Sequence, residues 1–544
     1  MKELTTDVLI IGGGGAAGCA AVEAAKYGVT VTLMDKGRFG RSGSTPVSAS
    51  AFSAPLGLGG KPDSPEQHLQ DVLRVSEGLC DIPLVKACIG DAPQILSFLE
   101  DIGVPLQKDA AGNYHQSRAM GHSVPRNITF DYQISDPMTV LRREAAHRGV
   151  FILDGVMATK LLRQGGGVSG VIGLSSTGEM VVVKAKAVIL AAGSATMLYP
   201  YRSAIFPTTG DAVALAAEAG AELVDLEFAE LTLIPVVNGV AVSTGGIGTM
   251  VRSGARYLNR LGERFMEKWD PVHLEAAPRY KVVRALYEEI SQGRGPVTCN
   301  LEQVEQNVLD GPGHGNLALV HKRRAAGIGT VHSSFAWGIA IHRLLGGCST
   351  DETTATTVKG LFAAGESAGG VHGAARLAGQ AVLEFLTMGA RAGKHAARLA
   401  RQVSQAEPDR EAIQQEEQRW QQIAENRGGV SPRKVIQEVQ EIMGSYVSVS
   451  REGKGLQTAV QRLEEIVHED VPRIGGKKLR EAMEAANLSK TGWLVARAAL
   501  ERRESRGSHW RADYPERDDS QWLTHIAFRR EGEGMAMATR PVIK

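Results

Sequence analysis

The first 36 residues leave this chain the least freedom. Asp7-Val8-Leu9-Ile10-Ile11 is an apolar run of strand length, and it leads straight into Gly12-Gly13-Gly14-Gly15-Ala16-Ala17-Gly18. An Ala-rich stretch, Cys19 to Tyr27, reads as a helix that Gly28 stops, and Val29 to Met34 reads as a second buried strand closed by Asp35 and Lys36. Strand, Gly-rich turn, helix and strand make a βαβ unit. Within it Gly13-x-Gly15-x-x-Gly18 has the spacing that lets a pyrophosphate approach a helix N-terminus, where free N–H groups and the helix dipole attract it. Asp35, 17 residues after Gly18, ends the second strand where ribose hydroxyls would lie. The unit thus predicts a dinucleotide site, and by itself it suits NAD as well as FAD.

Three later segments favour FAD. Val188 to Gly193, through Ala191 and Ala192, is another apolar strand ending in small residues. Thr208-Thr209-Gly210-Asp211 opens a short helix. Gly360-Leu361-Phe362-Ala363-Ala364-Gly365 ends in Glu366, a carboxylate placed for a hydroxyl of the ribityl or ribose chain. FAD is long and needs distant stretches of chain converging on it. His342 precedes the last strand and Arg376 follows it, an imidazole and a guanidinium able to hold an anionic substrate against the cofactor.

At 544 residues the chain is too long for one core. We expect an α/β architecture: a Rossmann-like FAD-binding domain over 1–235 and 339–402, an inserted α+β capping domain over 236–338, a helical bundle over 403–507, and a charged C-terminal segment, 508–544, with short strands at most. Residues 64–105 and 138–148 read as helical and 150–190 as a β-meander. The net charge of +1 gives no basic field for nucleic acid. Cys19, Cys80, Cys88, Cys299 and Cys348 are scattered without a CxxC pair, so neither an iron–sulfur cluster nor zinc nor a disulfide framework is expected within the chain. No run of about 20 apolar residues predicts a membrane span, and the N-terminus enters a strand with no signal segment; a cytoplasmic location is expected, peripheral to a membrane at most. Arg118, His122 and Arg126 form a local basic cluster that reads as a second anion site or as a solvated loop.

Longer motifs carry a resemblance. They are Asn259-Arg-Leu-Gly-Glu-Arg-Phe-Met-Glu267, Ala277-Pro-Arg279-Tyr-Lys-Val-Val283 followed by Gly293-Arg-Gly295, and His342-x-x-x-Gly346-Gly347. They continue with Val371-His-Gly-Ala-Ala-Arg376-Leu377, Glu504-Ser-Arg-Gly-Ser-His509, then Arg511 and Asp513-Tyr-Pro-Glu-Arg-Asp-Asp519. Over nearly its whole length the chain resembles the flavoprotein subunits of succinate dehydrogenases and fumarate reductases, a family that includes L-aspartate oxidase and the adenylylsulfate reductase flavoprotein. The resemblance implies an FAD-dependent enzyme that moves hydride between flavin N5 and a C–C bond of a small organic acid. Arg279 matches the proton-transferring arginine, and His342 and Arg376 match the carboxylate-binding pair. Cofactor contacts are implied at Gly13, Gly15, Ala16, Ala17, Gly18, Asp35, Lys36, Ser42, Ser44, Thr45, Ala192, Gly193, Thr209, Gly210, Asp211, Gly365, Glu366, Arg376 and Ala381. Leu377 to Ala381 should open a helix aimed at the flavin pyrimidine ring. With no cluster ligands in the chain, an iron–sulfur protein is the expected electron partner. An aspartate-oxidase-like enzyme acting alone, an adenylylsulfate-reductase-like subunit and a non-catalytic electron-transfer subunit are the alternatives.

The departures from the family pattern are as informative. Gly43-Ser44-Thr45 stands where covalent members carry a flavin-linking histidine near Arg41-Ser42, so the FAD is expected to be noncovalent. Ser50 to Phe52 replaces a Gln-Gly-Gly. The family's Glu-Phe-Val-Gln and its following histidine read Glu227-Phe228-Ala229-Glu230-Leu231-Thr232, and a Thr-Glu pair is missing around Thr249 to Ala255. Those groups normally hold the second carboxylate of a dicarboxylate.

Overall fold

The computed structural model describes residues 1–47, 51–57, 62–203, 208–242, 250–251, 253–310, 317–476, 478–532 and 534–544. Of the departures just named, Ser50, Thr249 and Arg252 lie outside them.

The apolar run at the start becomes β1 (Lys2–Ile11), whose last four residues are buried because both faces of the sheet are covered. The Gly-rich turn starts α1 (Gly15–Ala25), and β2 (Val31–Asp35) returns parallel to β1. β3 (Phe151–Asp154) lies outside β2. β4 (Val156–Gln164), β5 (Gly167–Ser175) and β6 (Met180–Leu190) form the antiparallel meander expected from 150–190. β6 also runs parallel along β1, Lys2↔Val181 to Ile11↔Leu190, so one strand joins the meander to the parallel sheet. α2 (Asp211–Ala219) follows.

The capping region is built on two long antiparallel strands, β7 (Ala229–Val237) and β8 (Phe335–Leu344), in a five-stranded sheet. Both strands run across the positions 235/236 and 338/339 expected as boundaries. α3 (Arg279–Ser291) lies between them in sequence, and β9 (Leu361–Ala363) then rejoins the main sheet beside Val188 to Leu190. α4 (Gln380–Ala400) crosses α1 at very short range. A Cβ at Gly389 would stand 2.6 Å from the Ala16 carbonyl, and one at Gly393 would stand 2.2 Å from that of Ala20. Small residues at this spacing let the two backbones meet.

The helical region is made by α5 (Arg410–Glu425), α6 (Pro432–Tyr446), α7 (Gly453–Glu465) and α8 (Leu479–Glu501). Val435, Val439, Ile442, Leu456 and Leu463 are buried as their periodicity predicts. The C-terminal segment departs from expectation. It holds a full hairpin, β10 (Thr524–Glu531) and β11 (Gly534–Pro541), paired from Thr524↔Pro541 to Glu531↔Gly534. β10 pairs in turn with Leu223–Val224. The run Arg529-Arg530-Glu531 hides the alternation of the buried Ile526 and Phe528, and the partner strand lies some 300 residues earlier in sequence. Ile82–Asp101 is long and apolar enough to span a membrane by length and composition alone. It forms two helices meeting at Asp91, with Leu84, Val85, Cys88, Ile95 and Leu99 inside the core.

Candidate active site

A cavity of about 610 Å³ runs from the N-terminus of α1 to the capping region. Its dinucleotide end is shaped by backbone. A Cβ at Gly12 would meet the Ala191 carbonyl at 2.1 Å, and one at Gly13 would meet the Asp35 carboxylate at 2.4 Å. Gly14, the N-cap of α1, supplies no capping side chain, so the first N–H groups face the cavity, and that of Gly15 donates to Thr45 Oγ1 at 3.0 Å. Gly15 is also held bare by Phe385 of α4, whose ring would lie 2.3 Å from a Cβ. Asp35 is buried and accepts from Ser42; burial raises its pKa against that hydrogen bond.

Lys36 ties this end of the cavity to the helical region. Its Nζ pairs with Asp211 at 2.9 Å and with Glu484 of α8 at 3.0 Å, and donates to Thr209 Oγ1 at 2.6 Å. Asn487 Nδ2 donates to Asp211 at 3.0 Å, and Arg480 donates to the Lys36 carbonyl. Burial would lower the Lys36 pKa, but Asp211 and Glu484 outweigh it and raise it. Arg480 and Glu484 line the cavity, and sequence reading missed both because they belong to the helical region. In the middle of the cavity Ala192, Gly193, Gly365 and Glu366 meet, with Ser44 Oγ donating to Glu366 at 3.3 Å. Burial raises the Glu366 pKa. Ala378, Gly379 and Ala381 bring the start of α4 to the wall, again with no side-chain cap.

Of the expected cofactor contacts, Gly13, Gly15, Ala16, Asp35, Lys36, Ser42, Ser44, Thr45, Ala192, Gly193, Asp211, Gly365, Glu366, Arg376 and Ala381 line this cavity. Ala17, Gly18, Thr209 and Gly210 do not. Gly18 packs α1 against Leu141 and Phe39, Thr209 orients Lys36, and Gly210 starts α2 with φ +76° beneath Thr491.

The far end collects Arg279, His342 and Arg376. Arg279 opens α3 directly after Pro278. That helix is seated by Tyr280, whose hydroxyl donates to Glu77 Oε1 at 2.7 Å, and by Arg284, stacked 4.0 Å from the Trp510 ring. His342 is the extra residue of a β-bulge, since Glu230 pairs with Arg343 but Leu231 with Ile341. A bulge turns a side chain that regular pairing would aim elsewhere. His342 Nδ1 lies 2.8 Å from Ser203 Oγ. Burial, together with Arg279, pushes its pKa down to about 3, so the ring is neutral near pH 7.

Glu230 on β7 ties the cations together, at 2.8 Å from Arg279 Nη1 and at 3.0 and 3.2 Å from Arg376 Nε and Nη2. Burial opposes its ionisation, but the two guanidiniums hold it well below the usual carboxylate range. Thr232, Leu233, Val251, Tyr257 and Val282 also line the cavity, as do the polar Ser203, Thr208, Glu275 and Arg343. The structure splits the basic cluster at Arg118, His122 and Arg126. Arg126 is fully buried against Asp63 at 2.9 Å and Asp71 at 3.0 Å, His122 is buried with Nε2 against the Ala378 carbonyl, and Arg118 is exposed.

The cavity fits FAD: side-chain-free backbone and open helix N-terminus at one end, a hydroxyl-bearing and acidic middle, and a second helix start at the far end. Comparison with known proteins agrees. Residues 7–382 match the model of the FAD binding domain family, and residues 436–544 that of the fumarate reductase flavoprotein C-term. The chain is 34% identical to one subunit of the fumarate reductase (CoM/CoB) of Methanothermobacter marburgensis, over 97% of each chain. Its fold is that of the E. coli quinol fumarate reductase FrdA, with a TM-score of 0.90, 24% identity and coverage of 100% of this chain and 98% of that one. Mycobacterium smegmatis Sdh1 superposes with a TM-score of 0.85 and 26% identity, over 99% of this chain and 95% of that one. The chain therefore belongs to the fumarate reductase and succinate dehydrogenase flavoprotein family and is an FAD-dependent oxidoreductase.

Proposed function

We propose that the protein interconverts a C=C and a CH–CH bond in a small organic acid, as the flavoprotein subunit of an electron-transfer complex. The observation that carries this reading is the convergence of Arg279, His342 and Arg376 at one end of the FAD cavity. Bound FAD supplies a hydride donor or acceptor at flavin N5. Arg376 and the neutral His342 hold the substrate carboxylate, and the charge of Arg376 polarises the adjoining alkene. Arg279 delivers a proton to the neighbouring carbon in reduction and removes one in oxidation. One hydride and one proton thus add across the double bond. A permanently charged guanidinium is a reluctant acid, and Glu230, in contact with it, favours return of the proton. Tyr280 and Arg284 seat α3, which carries Arg279 at its start.

Electrons enter or leave the flavin through a separate iron–sulfur protein. The five cysteines are dispersed and buried, and the M. marburgensis relative is named as one subunit of its enzyme. FAD is held without a covalent bond: Ser44 and Thr45 occupy the loop facing the cavity, engaged with Glu366 and Gly15. Acid precipitation should therefore release all the flavin into the supernatant. The decisive experiment is anoxic reoxidation of the photoreduced flavin by a panel of enoates. At least one should reoxidise it within seconds. Inertness to every enoate, with fast reoxidation by air alone, would reject the reading.

A further inference from the structure

A guanidinium buried in a protein is normally engaged on every side. Arg502, Arg506 and Arg511 donate from all three of their nitrogens, to carboxylates and backbone carbonyls. Arg376 at the far end of the cavity does the same. Arg343 breaks the pattern. It lines the cavity and is 2% exposed, yet among the described residues only its Nε makes a hydrogen bond, to the Leu344 carbonyl at 3.2 Å. Its Nη2 has no hydrogen-bond partner. The carboxylate of Glu384 stands 3.6 Å from that nitrogen and only 3.1 Å from His372 Nε2. Unused donors on a buried charge are costly, and an acceptor in the cavity removes that cost.

Two neighbours fix where along the cavity this guanidinium lies. Glu384 stands one turn after Gln380, the first residue of α4. Burial raises the Glu366 pKa, and the charge that most opposes this is that of Arg343. Arg343 therefore sits between Glu366 and the opening turn of α4, the uncapped helix start that borders the cavity at Ala378 and Gly379. The pyrophosphate of FAD belongs at the other helix start, that of α1, and flavin N5 belongs beside Arg279, His342 and Arg376. Between them the cofactor presents the pyrimidine edge of the flavin, N1 and the C2 carbonyl, which are hydrogen-bond acceptors.

We propose that Arg343 is a cofactor-binding residue that donates to the pyrimidine edge of the flavin and raises its potential. A hydride arriving at N5 brings two electrons and one proton, so it leaves one negative charge, which gathers at N1 and the C2 oxygen. A guanidinium at that edge favours the reduced flavin, and the N-terminus of α4 adds its own partial positive charge. This role is independent of which acid binds at the far end.

The test is redox equilibration of the purified holoenzyme against a reference dye, followed by flavin absorbance, and it needs no substrate. Arg343→Met should move the equilibrium toward oxidised flavin on the order of tenfold. Arg343→Gln keeps donors without the charge; it should move the equilibrium in the same direction and serves if the methionine variant folds poorly. Arg343→Lys, which keeps the charge, should stay near the wild type. Neutral variants that lose stability in urea but keep the wild-type dye equilibrium would make Arg343 a structural counter-ion of Glu384 and overturn the inference. Failure of both neutral variants to fold, with Arg343→Lys intact, would overturn it as well. Either result leaves the proposed function standing, since that is decided by enoate reoxidation of the wild type.

Discussion

Glu227 and Glu230 stand three residues apart and are both buried carboxylates, yet they serve opposite ends of the protein's electrostatics. Glu227 faces the stretch just after α8, where it meets one guanidinium, Arg502, at 2.8 Å. That arginine is shared with Glu504 at 3.0 Å, which in turn holds Arg506 at 2.6 Å. Burial dominates at Glu227 and, with Asp225 nearby, raises its pKa despite Arg502. Glu230 lies behind the cavity wall against Arg279 and Arg376 and has two cations to itself, so its pKa falls. The same side chain is a shared member of a structural clamp in one place and the minority charge of a reactive site in the other. Charges that cancel hold segments together, and a charge left over recruits a ligand.

Four measurements probe this contrast. Arg279→Ala should lower kcat by a factor of about 10² to 10⁴ with FAD content unchanged by absorbance; turnover near wild type would return Arg279 to a purely structural role. Arg502→Ala leaves Glu227 and Glu504 buried without their shared cation. It should destabilise the protein by about 3–5 kcal/mol in denaturant unfolding, and a stable variant would mean the clamp is dispensable.

The third measurement uses pH. Because the folded-state pKa of Glu230 is depressed, its stabilising contribution is present above the ordinary carboxylate pKa of about 4.3 and is lost as pH falls further. For Glu227 the folded-state pKa is raised, so its contribution is full below that value and is lost as pH rises through the folded pKa. The stability of Glu230→Gln relative to wild type should therefore be worst near neutrality and recover in acid, and that of Glu227→Gln should change in the opposite sense. Parallel profiles in unfolding measured from about pH 8 to about pH 3.5 would erase the distinction. The smallest effect is expected at Ser203→Ala, which removes the hydroxyl against His342 Nδ1. A rise in KM of about two- to tenfold with little change in kcat should follow, since one hydrogen bond is lost.

Much of the cofactor end was legible in the sequence because its determinants are local. A strand, a glycine run and an acidic strand end occur within 30 residues, from Asp7 to Lys36, and backbone sterics decide what each can do. Arg279, His342 and Arg376 came from motif likeness, not from spacing. The basic cluster misled because a sequence does not say which of its charges has a buried partner: Asp63 and Asp71 lie more than 50 residues before Arg126. The C-terminal hairpin was missed for a similar reason, since its strand partner comes from Leu223–Val224.

Residue order alone was enough for the βαβ unit and the strands that converge on FAD, because these depend on neighbouring residues and on where glycine permits close approach. Which charges cancel was settled by packing in three dimensions. Glu230 lies 49 residues from Arg279 and 146 from Arg376, and Glu484 lies 448 from Lys36. Electrostatic interaction depends on distance in space and on burial, and neither is written along the chain.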